Sequence, residues 1–97
     1  METIAIHPEE YSDGTRPYPF FIKDKKGTVG RQDFWKGNPL LLVGFTDETD
    51  RQDIELSLDE FIQNPRRAKG LYPVFERKNG DWFTFVIPVG KVTKIKN

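Results

Sequence analysis

Short strand-like segments separated by turn signals cover most of this 97-residue chain. The run YPFFIK (residues 18–23) is typical of a strand, DKKG (24–27) suits a type I turn that closes on a glycine with positive φ, and TVGRQ (28–32) can return as the partner strand. The run LLLVGF (40–45) is continuously apolar and has the length of a strand covered on both faces. We therefore predict a first hairpin and, after it, a strand at the centre of the sheet.

One segment has the pattern of a helix. The residues SLDE (57–60) predict a capping box, in which the Ser57 hydroxyl accepts from the Glu60 amide and the Glu60 carboxylate reaches back. The apolar residues with helical spacing are Leu58, Phe61 and Ile62. Because Pro65 limits the regular helix before Gly70, we predict a helix of about two turns and then an irregular turn over residues 66–69.

Asn79-Gly80 lies between two strand-like runs and predicts a second hairpin with a two-residue type I′ turn. This turn pairs Lys78 with Asp81. Since side chains alternate along a strand, one face of the hairpin, interpreted as core, collects Tyr72, Val74, Phe83, Phe85 and Ile87. The opposite, amphipathic face collects Pro73, Phe75, Arg77, Trp82, Thr84 and Val86.

The two ends of the chain are predicted to differ. Residues 1–17 are rich in turn signals and predict an N-terminal arm with room for one short strand, whose order the sequence leaves open. Residues 89–95 predict a last strand at a sheet edge, with its lysines pointing outward. The length of the chain predicts a single small domain over residues 1–97.

Short strands, tight turns and one helix together predict a mainly β fold with one short helix. We expect a small curved antiparallel sheet or an SH3-like barrel of five to six strands, and a helix packed on an open sheet is the alternative. The residues GDWF, followed by IP and a valine within residues 80–92, resemble the last strands of SH3 domains. Because only five residues separate Trp82 from Pro88, too few for the hairpin those domains have there, we assign no family.

The inventory of reactive side chains argues against an enzyme. The chain has one histidine, two serines and no cysteine, so few side chains can form a pair of a nucleophile and a base. Ser12 and Asp13 lie near His7 in sequence, but on the turn-rich arm. We predict no catalytic residues, no metal site and no cofactor. The lack of cysteine and of any long apolar segment predicts a cytoplasmic protein without a membrane partner.

The net charge is zero, but the charges are unevenly distributed. Residues 1–46 hold six acids and six bases, residues 47–60 seven acids and one base, and residues 61–97 two acids and eight bases, giving 0, −6 and +6. We favour the interpretation that the acidic segment lies near the basic third and screens it. The alternative is that the bases share one face and bind anions.

The amphipathic hairpin face is the candidate binding site. Phe75, Arg77 and Trp82 are of the types enriched at binding hot spots, and Trp35 could extend the surface. The competing interpretation, which we weigh above it, is that this face is buried against the helix or the N-terminal arm.

Two functions remain, and we rank protein interaction first. A protein-interaction module would present an aromatic sheet face or an edge strand to a protein or peptide, or to a second copy of itself. Its predicted aromatic contacts are Tyr11, Tyr18, Trp35, Phe75 and Trp82. The alternative is a single-stranded nucleic-acid binder in which Phe75 or Trp82 stacks on bases. Its phosphate contacts would be Arg66, Arg67, Lys69, Arg77, Lys91, Lys94 and Lys96.

Overall fold

The computed structural model of this protein describes residues 2–30, 40–49 and 53–95. Within these residues the strands are β1 (Thr3–Pro8), β2 (Phe20–Ile22), β3 (Val29–Gly30), β4 (Leu41–Thr46), β5 (Leu56–Ser57), β6 (Tyr72–Glu76), β7 (Trp82–Thr84) and β8 (Val89–Ile95). The α-helix α1 (Leu58–Gln63) is followed by a 3-10 helix (Pro65–Ala68). The predicted class, mainly β with one short helix, is confirmed. The described residues form eight strands, more than the five or six expected, and the short strand β5 was not among those predicted.

The strands form two antiparallel sheets of four. Their orders are β3-β2-β1-β8 and β5-β4-β6-β7. The sheets meet at one corner, where Thr28 bridges to Leu41 and the Leu42 amide donates to the Gly27 carbonyl at 2.7 Å. The described strands form two small curved sheets and do not close into a barrel.

The first predicted hairpin and the central strand are confirmed. The Gly27 amide donates to the Asp24 carbonyl at 3.1 Å, and Gly27 has the expected positive φ of 84°. The Asp24 carboxylate holds the turn by accepting from the amides of Lys26 and Thr28 at 2.9 and 3.1 Å. After this turn β3 pairs with β2, and β4 lies between β5 and β6 in the other sheet.

The predicted helix is confirmed together with its capping box. The Ser57 hydroxyl accepts from the Glu60 amide and the Glu60 carboxylate accepts from the Ser57 amide, both at 3.2 Å. Hydrogen bonding of the Glu60 carboxylate to the Ser57 amide, with smaller contributions from the Ser57 side chain and from Arg67, holds the pKa of the Glu60 carboxyl below its usual 4.5. Phe61 is fully buried, and Pro65 begins the 3-10 helix at the predicted second turn.

The N-terminal strand β1 is more central than the predicted arm suggested. It lies between β2 and β8, and residues 4–6 are buried. Ile4 and Ile6 project into the core, opposite Lys94 and Val92 of β8. Residues 3–8 of the predicted arm are therefore an interior part of the first sheet.

The second hairpin forms at the predicted place, but its predicted register is wrong by one residue. Phe75 pairs with Phe83 and Glu76 with Trp82, and Arg77 closes a three-residue loop with Asp81. Only Gly80 of this loop has a positive φ. The Asn79 side chain accepts from the Asp81 amide at 3.0 Å, which suits a type I turn followed by a glycine bulge rather than a type I′ turn.

The corrected register moves Phe75 into the core. Phe75 packs edge-to-face on Phe20 at a centroid distance of 5.2 Å, and Phe20 does the same with Phe85 at 5.1 Å. On the other side of the core, Phe45 lies 4.8 Å from Phe61 of α1. Both sheets and the helix therefore contribute to one aromatic core.

Thr46, at the end of β4, is a buried polar residue whose hydroxyl has no hydrogen-bond partner among the described residues. Because an unsatisfied buried hydroxyl costs free energy, we expect Thr46→Val to raise the free energy of unfolding by about 1 kcal/mol. Urea denaturation of the two proteins measures the change. A loss of stability in the valine variant would show that the Thr46 hydroxyl is satisfied.

Candidate functional site

The two neighbouring aromatics of β7 point to opposite faces of the second sheet. Phe83 faces inward, with its ring 5.5 Å from Phe75. Trp82 faces outward, is 38% exposed, and its indole N–H donates to the Glu76 carboxylate across the strand pair at 3.3 Å. The aromatic surface is therefore reduced to Trp82 beside a carboxylate.

Phe75 and Arg77 do not extend this surface. Phe75 is fully buried, with its ring against Phe20 and Phe83 rather than against the helix or the N-terminal arm, so it is removed from the candidate contacts. The Arg77 guanidinium lies 4.3 Å from the centroid of the Phe83 ring, on the inward side of the hairpin. A cation over an aromatic face stabilises this end of the core, so Arg77 has a structural partner.

The remaining predicted aromatics are dispersed. Tyr18 is 70% exposed just before β2. Tyr11 lines a groove with His7 and Arg16 at the turn-rich part of the chain. The prediction for Trp35 falls outside the described residues. The groove that Tyr11 lines includes neither Tyr18 nor Trp82 among its described residues.

A different groove runs along the outer edge of β8. It has a volume of about 600 Å³ and lies between the strand and the corner where α1 turns into the 3-10 helix. The residues that line it are Gln63, Asn64, Pro65, Arg66, Val92, Thr93 and Lys94. As predicted, β8 is an edge strand, and Lys91 and Lys94 are exposed.

The hydrogen-bond pattern shows which backbone groups face this groove. The Lys23 amide donates to the carbonyl of Thr28, which directly precedes β3, and peptide groups along an antiparallel strand point alternately to its two neighbours. The residue pairs between β2 and β1, and between β1 and β8, extend this alternation to β8. It follows that the N–H and C=O groups of Thr93 point toward β1. The N–H and C=O groups of Val92 and Lys94 therefore point away from β1, into the groove.

The ladder on this outer edge is short. Val89 donates to the Leu71 carbonyl at 2.8 Å and accepts from the Gly70 amide at 2.7 Å. The pairing with β1 shifts register between Val89 and Lys91, so Gly90 is a bulge. Among the described residues, no strand continues this outer ladder past Val89.

The predicted basic residues differ in whether they form an ion pair and whether they line the β8 groove. Arg67 donates to Glu60 at 3.2 Å, the one described contact in which the basic third meets the acidic segment through an ion pair. Within the described chain, Arg66 and Lys94 have no ion pair, and both line the β8 groove. Lys69 and Lys91 are exposed but lie outside its lining. Lys96 is outside the described residues.

The groove lined by His7, Tyr11 and Arg16 lies on the outer face of the first sheet. One of the His7 ring nitrogens, Nε2, lies 3.0 Å from the Thr93 hydroxyl, and Arg16 forms an ion pair with Glu10 at 3.2 Å. Burial, with the positive charges of Lys91 and Arg16, lowers the pKa of His7 below 6.5. Its opposite charges are balanced, so this groove offers no single charge to a ligand.

The described residues contain no cluster of three or more His, Cys, Asp or Glu side chains that could hold a metal ion. None of the described helices combines the length and the apolar character that a membrane span requires.

Sequence reasoning missed the groove because its two walls are about thirty residues apart in the chain. Separate signals existed for each wall. Pro65 predicted the turn after the helix, and the lysines of residues 89–95 predicted an edge strand. No local pattern indicated that these two elements lie side by side.

The fold and the groove together define a small two-sheet β protein with an open edge strand. Comparisons with protein-family models, with curated proteins and with solved structures find no match to this chain.

Proposed function

We propose that this protein is a protein-interaction module that binds an extended peptide segment along the outer edge of β8. The observation that carries this proposal is the orientation of the Val92 and Lys94 peptide groups into a groove, where they present two donors and two acceptors in strand geometry. Addition of a strand to a sheet edge is a common mode of peptide recognition, with affinity from main-chain hydrogen bonds.

The shape of the groove supports a strand rather than a globular partner. A second strand lies about 4.8 Å from the first, and the corner at residues 63–66 forms the far wall. That wall limits the occupant to a narrow, extended segment. The partly buried Val92 gives the bound segment an apolar neighbour on one face.

A protein-interaction site on the aromatic face of the second hairpin has less support than one on the edge of β8. Phe75 is part of the core, and the indole N–H of Trp82 already donates to Glu76. The burial of Phe75 also weakens the nucleic-acid alternative, which needed it or Trp82 as a stacking platform beside the bases. We propose a non-enzymatic role: His7 does meet a hydroxyl, that of Thr93 at 3.0 Å, but no described residue forms a hydrogen bond with the other ring nitrogen to complete a triad. A cytoplasmic location and self-association stay predictions.

Selection from a library of random peptides about eight residues long, enough to span the edge of β8 beyond Val89, tests the proposal. In the complex with a selected peptide, we expect the Val92 and Lys94 amides to become protected from hydrogen exchange in NMR spectra. The Thr93 amide, which faces β1, serves as the internal reference. Selected peptides that protect no β8 amide would overturn the proposal.

A matched pair of variants isolates the main-chain contact. Lys94→Pro removes the outward N–H, and an edge strand tolerates proline there because the ladder to β1 is kept. Lys94→Thr removes the same charge but keeps the N–H. We expect the proline variant to bind a selected peptide about tenfold more weakly than the threonine variant, the effect of one hydrogen bond. Equal affinities of two folded variants would contradict strand addition.

A further inference from the structure

We infer that the segment bound along β8 is acidic, with a carboxylate side chain opposite Lys94 and an aliphatic side chain two residues away, opposite Val92. This inference rests on the proposed function and specifies its partner. It follows from the charges that line the groove and from the register of the strand that would occupy it.

The groove has one cation on each wall. Lys94 projects from β8 and Arg66 from the 3-10 helix, and neither forms an ion pair within the described chain. No carboxylate is among the seven described residues that line it. Arg67, one residue further on, is instead neutralised by Glu60. The positive charge that remains at the groove is therefore complementary to an acidic ligand.

The strand geometry converts this charge into a sequence pattern. Side chains directly opposite each other in an antiparallel pair interact, and those two residues apart lie on the same face. Lys94 and Val92 are two residues apart on β8, on the face that also carries Ile4 and Ile6 of β1. A segment that places Asp or Glu opposite Lys94 therefore places its residue opposite Val92 next to the apolar interior.

Arg66 adds to the preference for a carboxylate. Arg66 lines the wall formed by the 3-10 helix while Lys94 lines the wall formed by β8, so the groove offers an acidic side chain a cation from each wall. Arginine also provides several N–H donors in a planar fork that matches a carboxylate.

The same cations could meet phosphates, but the groove favours a peptide over a nucleic acid. Single-stranded nucleic acids bind by stacking their bases on aromatic side chains beside the positive charges. None of the described lining residues is aromatic, and Trp82 lies on β7 of the other sheet. The peptide groups of Val92 and Lys94 are matched by a peptide backbone.

The test uses three blocked peptides of about eight residues with a threonine and valine background, carrying Glu, Gln or Lys at one central position with valine two residues away. Affinities come from NMR titrations that follow the Val92 and Lys94 amides. We expect the Glu peptide to bind about 3- to 10-fold more tightly than the Gln peptide, and the Lys peptide to bind most weakly. The Glu preference should shrink as salt rises from about 50 to about 500 mM.

Charge reversal provides the decisive comparison. In the double variant Arg66→Glu, Lys94→Glu, the order of the Glu and Lys peptides should invert, while Arg67→Gln, outside the groove lining, should leave the order unchanged. Equal protection of the β8 amides by all three peptides would overturn the acidic preference and leave the proposed function standing. Failure of every peptide to protect these amides would overturn both.

A mixed-sequence single-stranded oligonucleotide is the competing probe. If it shifts the signals of Arg66 and Lys94 at low salt while the Glu peptide does not, the groove is a nucleic-acid site and the acidic-peptide inference is wrong. If it shifts neither signal, hydrogen bonding between a peptide backbone and the peptide groups of β8 governs recognition, as we propose.

Discussion

Replacement of Phe75 by alanine is expected to lower the free energy of unfolding by about 3–5 kcal/mol, the range for a large aromatic removed from a packed core. The ring of Phe75 contacts those of Phe20 and Phe83, and its neighbours are held on strands of both sheets. They cannot collapse fully into the space that alanine leaves. Urea denaturation followed by circular dichroism measures the loss.

Two controls make this prediction specific to the observed register. Trp82→Ala, on the outward face, should cost no more than about half as much, since much of that side chain already contacts water. Phe75→Leu keeps most of the volume and should cost about 1–1.5 kcal/mol. If Trp82→Ala proved as damaging as Phe75→Ala, the hairpin would have the register that places Trp82 inside.

The positions of Phe75 and Trp82 also show what local sequence signals cannot determine. Asn79-Gly80 indicates a tight hairpin, and the hairpin forms. The same dipeptide fits a two-residue type I′ loop and a three-residue loop with a glycine bulge, which differ by one residue in register. Because Phe75 meets Phe20 of a distant strand only in the second, tertiary packing decides between them.

Elements governed by neighbouring residues were predictable in detail. The capping box of Ser57 and Glu60 and the turn that closes on Gly27 involve groups within four residues of each other. The central position of β1 was not predictable in this way, because its partner β8 lies at the other end of the chain. The β8 groove was not predictable for the same reason, because it exists only where residues 63–66 and 92–94 meet.

The candidate site was therefore predicted in its parts rather than as a whole. Arg66 was among the predicted binding residues and Lys94 among the predicted phosphate contacts, and the structure places both on one groove. The residue type of Phe75 predicted a contact, although large aromatics are more often core than contact. Backbone groups such as those of Val92 carry no residue-type signal, so only the pairing of β8 reveals them.

Gly27→Ala is the second large effect we expect, a loss of roughly 2–5 kcal/mol in the free energy of unfolding. Gly27 has a φ of 84°, a region that costs an L residue about 1–2 kcal/mol. A Cβ there would also lie under 3.0 Å from the Leu42 carbonyl oxygen and 3.1 Å from Leu58. Because the oxygen belongs to the backbone of β4, the strain cannot be relieved by a side-chain rotation.

Gly80→Ala separates the two contributions. Gly80 has a similar φ of 90°, but a Cβ added to it would have no atom within 4 Å outside its immediate neighbours. Its variant should lose only the conformational part, about 1–2 kcal/mol. The additional loss at Gly27 measures the close contact at the corner where the Leu42 amide donates to the Gly27 carbonyl and joins the two sheets. Equal losses at the two glycines in urea denaturation would mean that this corner can separate without cost, so the sheets would be held together by their shared core alone.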